Sequence, residues 1–119
     1  MAKKILVCED DEGISGVLSI ILSEKGYEVK ILSSAKGLVK KVINFSPNLI
    51  LMDIRMSGVD GREAIKILKT DLKTKKVPII IVSALDDLAS VVKATGADGF
   101  LTKPFEIKDL VAVIKKNLN

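Results

Sequence analysis

Leu49-Ile50-Leu51-Met52-Asp53 is an apolar run of four that ends on an acid. It is too short for a buried helix, and it is apolar at odd and even positions alike. That pattern marks a strand covered on both faces, as in a parallel sheet flanked by helices. An ionisable side chain closing such a strand is costly unless its charge is offset nearby. Asp53 is therefore the first candidate functional residue.

Outward from this run, strand-like and helix-like segments alternate. Upstream, Lys4 to Cys8 is a short apolar strand, and Ile14, Val17, Leu18, Ile21 and Leu22 recur at helical spacing until Gly26. Tyr27, Val29 and Ile31 alternate with Glu28 and Lys30, which marks a half-exposed edge strand. Ser33 or Ser34 is placed to cap a helix with the stripe Leu38, Val39, Val42 and Ile43, broken by Pro47 and Asn48. Downstream lies the loop Met56-Ser57-Gly58-Val59-Asp60-Gly61. Asp60, with Glu63 three residues on, resembles a capping box for a helix carrying Ala64, Ile65 and Leu68. Ile79 to Val82 is a fourth strand, and a short helix with Leu88, Val91 and Val92 ends near Gly96. Gly99 to Leu101 is a fifth strand, and Ile107, Leu110, Val111, Ile114 and Leu118 stripe the last helix.

The order is (βα)5, which predicts an α/β fold: one doubly wound domain over residues 1–119 with a five-stranded parallel sheet. The flavodoxin-like order 2-1-3-4-5 puts the alternating second strand at an edge. In such sheets the site lies beyond the carboxyl ends of the strands.

Composition narrows the classes. With 48% hydrophobic and 29% charged residues the chain reads as folded and soluble, and with 3% aromatics its core must be aliphatic. The single cysteine, Cys8, lies in an apolar run and reads as a small buried hydrophobe, which suits a reducing cytoplasm. Met1-Ala2-Lys3-Lys4 is followed by only four apolar residues, so no signal peptide is expected, and no stretch reaches the ~18 residues of a membrane span. The net charge of +4 comes from scattered lysines without interleaved aromatics, so no direct nucleic-acid partner is expected.

At the strand ends stand Glu9, Asp10, Asp11 and Glu12 after the first strand, Asp53 after the third, Ser83 after the fourth and Lys103 near the end of the fifth. The first and third strands are neighbours in the proposed order, so Glu9, Asp10 and Asp53 should converge. Carboxylates ~5 Å apart repel by roughly 3 kcal/mol per pair at an effective dielectric of ~20. Protonation, a lysine or a divalent cation must offset this. An all-oxygen site suits Mg²⁺, and a chain with no His and one Cys does not suit zinc. A carboxylate beside such a cation can attack phosphorus, with Lys103 and Ser83 available to the phosphoryl oxygens.

Four stretches resemble the receiver domain of two-component response regulators: Lys4-Ile5-Leu6-Val7-Cys8-Glu9-Asp10-Asp11, Leu51-Met52-Asp53-Ile54-Arg55-Met56, Ile81-Val82-Ser83-Ala84 and Gly96-Ala97-Asp98-Gly99-Phe100-Leu101-Thr102-Lys103-Pro104-Phe105. The resemblance implies Asp53 as phosphoacceptor and Glu9 and Asp10 as the acidic pair for Mg²⁺, with the backbone carbonyl of Arg55 as a further metal ligand. It also implies Ser83 as the switch hydroxyl, Lys103 as the phosphate-contacting lysine, Phe100 as the aromatic that changes rotamer, and a cis Lys103–Pro104 peptide. The output surface would be the face of the fourth helix, fifth strand and fifth helix. Three departures stand out. Ser57 replaces the usual Pro, which would loosen its loop. The stretch from Ser83 to Gly96 is about two residues short, which would trim the fourth helix. Arg55 places a bulky cation beside the site.

The implied partners are a histidine kinase or histidine phosphotransfer protein and a downstream protein, with the chain a monomer or a phosphorylation-dependent dimer. It would be a stoichiometric phosphoacceptor, not an enzyme, working alone or as a fragment of a larger regulator or hybrid kinase. A Mg²⁺-dependent aspartyl phosphohydrolase would want a second Asp where Arg55 stands. A nucleotide- or flavin-binding module would want a glycine- or hydroxyl-rich loop where Glu9 to Glu12 stand. A receiver-shaped domain that is never phosphorylated would lack Asp53 or Lys103.

Overall fold

The computed structural model describes residues 2–56 and 59–118, with Val59 described by its backbone alone. The elements are β1 (Lys4–Cys8), α1 (Glu12–Glu24), β2 (Glu28–Leu32), α2 (Leu38–Phe45), β3 (Leu49–Met52), a short ribbon of β4 (Arg55–Met56) and β5 (Val59–Asp60), α3 (Gly61–Thr70), β6 (Ile79–Ser83), α4 (Leu88–Thr95), β7 (Gly99–Thr102) and α5 (Ile107–Asn117). The main sheet is wholly parallel in the order β2-β1-β3-β6-β7. That is the expected 2-1-3-4-5 once the antiparallel ribbon β4–β5, which the sequence did not announce, is set aside.

Alternation along each strand sorts the core into two layers. Ile5, Val7, Leu49, Leu51, Ile80, Val82 and Leu101 pack with Leu18 and Leu22 of α1 and Leu110 and Ile114 of α5. Leu6, Cys8, Ile50, Met52, Ile79 and Ile81 pack on the opposite face with α2, α3 and α4. Leu49, Ile50, Leu51 and Met52 are each no more than 1% exposed, which explains the unbroken apolar run of β3. Burial of the Cys8 thiol pushes its pKa up to about 12, so it is inert packing.

Several local expectations give way to tertiary context. Neither Ser33 nor Ser34 caps α2. The helix begins at Leu38 behind a left-handed Gly37, and the Ser34 hydroxyl instead accepts from the Lys36 amide. Asp60 does cap α3, accepting from the Arg62 amide at 2.9 Å, and Glu63 in its first turn pairs with Lys66. Val17, Ile43 and Ile107, placed on apolar stripes by spacing, are 56%, 37% and 55% exposed. The helices are covered along a narrower band than periodicity suggests. α4 is short, at eight residues, and opens on a left-handed Asp87. The expectation for Ser57 lies outside the described residues.

Lys69 stands out among the scattered lysines. Its ammonium donates to Asp98 Oδ2 at 2.6 Å and to the Val77 carbonyl at 2.9 Å, while the same Asp98 oxygen accepts from the Ile79 amide at 2.8 Å. This knot ties the end of α3 to the start of β6 and the turn before β7. Lys69→Ala leaves these acceptors short of a charged donor and is expected to cost about 2 kcal/mol in urea unfolding. A loss within experimental error would show the knot to be inconsequential.

Candidate functional site: an acidic cleft at the strand ends

Glu9, Asp53 and Lys103 each sit one step beyond a strand, held by one backbone hydrogen bond that extends the ladder, and Ser83 closes β6. The register Cys8↔Met52 brings Glu9 alongside Asp53, and the Asp53 amide donates to the Cys8 carbonyl at 2.9 Å. On the other side Ser83 pairs with Thr102, and the Lys103 amide donates to the Ser83 carbonyl at 2.9 Å. The Lys103–Pro104 peptide is cis.

Glu9 and Asp53 are buried, at 3% and 7% exposure, while Asp10 is the most open of the three acids. One carboxylate oxygen from each of Glu9, Asp10 and Asp53 lies within 4.8 Å of the others. The Lys103 ammonium bridges the buried pair, at 2.5 Å from Glu9 Oε1 and 3.3 Å from Asp53 Oδ2. Of the three ways to offset the repulsion, the folded chain therefore shows the lysine. Lys103 is nearer Glu9 than Asp53.

The titration behaviour follows from these contacts. Burial raises the Glu9 carboxyl most; the Lys103 hydrogen bond pulls it back, neighbouring Asp53 pushes it up again, and the result stands above the ordinary value. Burial works against the Lys103 ammonium, but its hydrogen bond to Glu9 and the charges of Asp53 and Glu9 outweigh that, so its pKa is raised.

The Arg55 amide donates to Asp53 Oδ1 at 3.0 Å, fixing the carboxylate within its own turn, while the Arg55 side chain is exposed on β4. Ser83 is buried, and its hydroxyl accepts from the Leu85 amide at 3.2 Å, which leaves its proton available to another acceptor. Phe100 stands apart from this cluster on β7 and is 42% exposed. Sequence reading missed the Leu85 amide, because backbone donors carry no residue-type signal. It also missed how closely Gly61 packs under the Asp53 turn.

A family model described as the response regulator receiver domain matches residues 5–115. The chain belongs to that family. Its members are phosphoacceptor switches of two-component signalling. The DNA-binding response regulator MtrA of Mycobacterium tuberculosis is 31% identical over 99% of this chain and 51% of its own length. The phosphate regulon transcriptional regulatory protein PhoB of Klebsiella pneumoniae is 34% identical over 97% of this chain and 51% of its own. The chain thus spans about half the length of these curated relatives. Among solved structures, the receiver domain of the sensor histidine kinase PA1611 from Pseudomonas aeruginosa, with a magnesium ion coordinated in its active site cleft, aligns with a TM-score of 0.89 at 25% identity, covering 99% of this chain and 98% of that one. The chemotaxis response regulator CheY4 of Vibrio cholerae aligns at 0.91 and 26% identity, covering 99% and 100%.

The receiver domain of this chain carries an acidic cluster of a kind that can bind a metal. Among the described residues no helix is long and apolar enough to cross a membrane.

Proposed function

We propose that this receiver domain, residues 1–119, takes a phosphoryl group on Asp53 and reports it through the surface around Phe100. The observation that carries the reading is the convergence of Glu9, Asp10 and Asp53 within 4.8 Å, with Lys103 reaching in from the far side.

The donor set fits Mg²⁺: three carboxylates and no nitrogen or sulfur ligand. Glu9, Asp10, Asp53 and the Arg55 carbonyl would hold it, with Asp10 as a direct ligand. When bound, the cation supplies positive charge against the clustered carboxylates and against the oxygens of a transferring phosphoryl group.

The chain's own residues do the rest. An Asp53 oxygen forms a bond to phosphorus as the bond from phosphorus to the donor breaks, and the leaving group departs with that electron pair. Lys103, already 3.3 Å from Asp53, moves its charge onto a phosphoryl oxygen. Ser83 moves its hydroxyl toward another phosphoryl oxygen and donates its proton there, giving up the Leu85 amide as it moves. That movement leaves room for Phe100 to turn inward, changing the face of α4, β7 and α5. Water later bonds to phosphorus as the bond from phosphorus to the Asp53 oxygen breaks, releasing inorganic phosphate and returning Asp53 to the carboxylate.

The immediate donor would be a histidine kinase or histidine phosphotransfer protein and the reader a downstream protein, with the chain acting in the cytoplasm as a stoichiometric acceptor. Intact mass after incubation with a small acyl phosphate and Mg²⁺ tests this. One added phosphoryl group per chain, lost slowly, is expected. No gain, or continuous donor turnover without a modified chain, would overturn it.

A further inference from the structure

The first residue of α3 packs against the backbone that presents Asp53. Gly61 is buried, and its amide donates to the Ile54 carbonyl at 3.1 Å. A Cβ built on Gly61 would lie 2.6 Å from the Ile54 Cα and 2.9 Å from both the Asp53 and the Ile54 carbonyl oxygens. Carbon atoms attract only from ~3.5 Å outward, so none of these contacts is tolerable. All three partners are backbone atoms, so no side chain can swing aside. The ribbon pairing Arg55↔Asp60 closes the same turn from its other end.

We infer that Gly61 is a positioning residue for Asp53. Its missing side chain lets α3 seat directly beneath the Asp53–Ile54 peptide, and this seat aims the carboxylate at Lys103. The inference rests on Asp53 being the phosphoacceptor. Any side chain at position 61 would lift that peptide by roughly 1 Å, and a misplacement of that size costs on the order of 100-fold in rate. The effect does not belong to glycine in general: Gly16 of α1 has no heavy atom within 4 Å of a built Cβ.

The test compares wild type, Gly61→Ala, Gly16→Ala and Leu68→Ala. Leu68 is fully buried on α3 away from the turn, so its truncation lowers stability without touching Asp53. Each protein is phosphorylated with a small acyl phosphate at a temperature well below its melting point. Amide shifts of Asp53, Arg55 and Lys103 are recorded by NMR without added metal. Gly61→Ala is expected to lose on the order of 100-fold in phosphorylation rate and to move those three amides. Gly16→Ala and Leu68→Ala should keep the wild-type rate. A wild-type rate and unmoved amides in Gly61→Ala would overturn the inference, as would an equal loss in Leu68→Ala. So would failure of Gly61→Ala to fold even with a stabilising osmolyte, because Gly61 would then serve folding and not aim. If wild type takes up no phosphoryl group, the proposed function fails instead, and the amide shifts still report whether Gly61 aims Asp53.

Discussion

Asp53→Asn is expected to gain no phosphoryl mass under conditions where the wild-type chain is fully modified, a loss of at least ~10³-fold in rate. The amide keeps the size and the place of the carboxylate but cannot supply a nucleophilic oxygen. The fold should survive, because the substitution relieves a strained arrangement: Asp53 is 7% exposed and is held beside buried Glu9 by one shared lysine. Removing its charge also removes one of the influences that raise the Glu9 carboxyl, so the Glu9 pKa should fall toward its ordinary value. Intact mass reads the first effect, and a carboxyl-carbon NMR titration reads the second. A variant that gained mass at the wild-type rate would show that the acceptor lies elsewhere. An unmoved Glu9 titration would show that the two acids do not communicate.

The burial of β3 was legible because burial on two faces leaves a mark that needs no tertiary knowledge: Leu49 to Met52 has no polar position to spare. The strand order followed from the contrast with β2, whose Glu28 and Lys30 could belong only at an edge. The convergence of Glu9, Asp10, Asp53 and Lys103 followed from order plus the rule that sites lie past the strand ends. What stayed hidden depends on distances between backbones. Gly61 looked like an ordinary loop glycine, and only the approach of the Asp53–Ile54 peptide gives it a role. Lys69 looked like one more of the scattered lysines, and only the turn before β7 supplies Asp98. Ser33 and Ser34 carried the right cap chemistry, yet α2 starts four residues beyond Ser34, where a left-handed glycine turns the chain. Side-chain type announces what a residue can bind, whereas the partner is fixed by chain segments far away in sequence.

Lys103→Met should reveal how the empty and the phosphorylated site share one cation. Met matches the stem of lysine but leaves Glu9 and Asp53 without their common partner. Breaking a buried pair in this way costs about 3 kcal/mol or more near neutral pH. The loss should depend on pH in a defined way. The wild-type Lys103 pKa is raised above its ordinary 10.5, so its contribution is fully present below that value and disappears as pH climbs through the raised one. The variant's Glu9 loses the hydrogen bond that pulls its pKa down and so rises further above its ordinary 4.5. A group raised in the folded state binds its proton more tightly there than in the unfolded chain, so the variant weakens as pH increases above 4.5. The stability gap between the two proteins should therefore be small at pH 4, widest around pH 7 and starting to narrow at pH 11, as read by urea unfolding. Phosphorylation should slow by 10²–10³-fold, on the order of what removing one donor to a developing anion costs. A gap that held constant across the three pH values would mean that Lys103 acts through the packing of its stem. The offset of buried carboxylates by a lysine, which makes this cleft habitable for Asp53, would then have to come from another group.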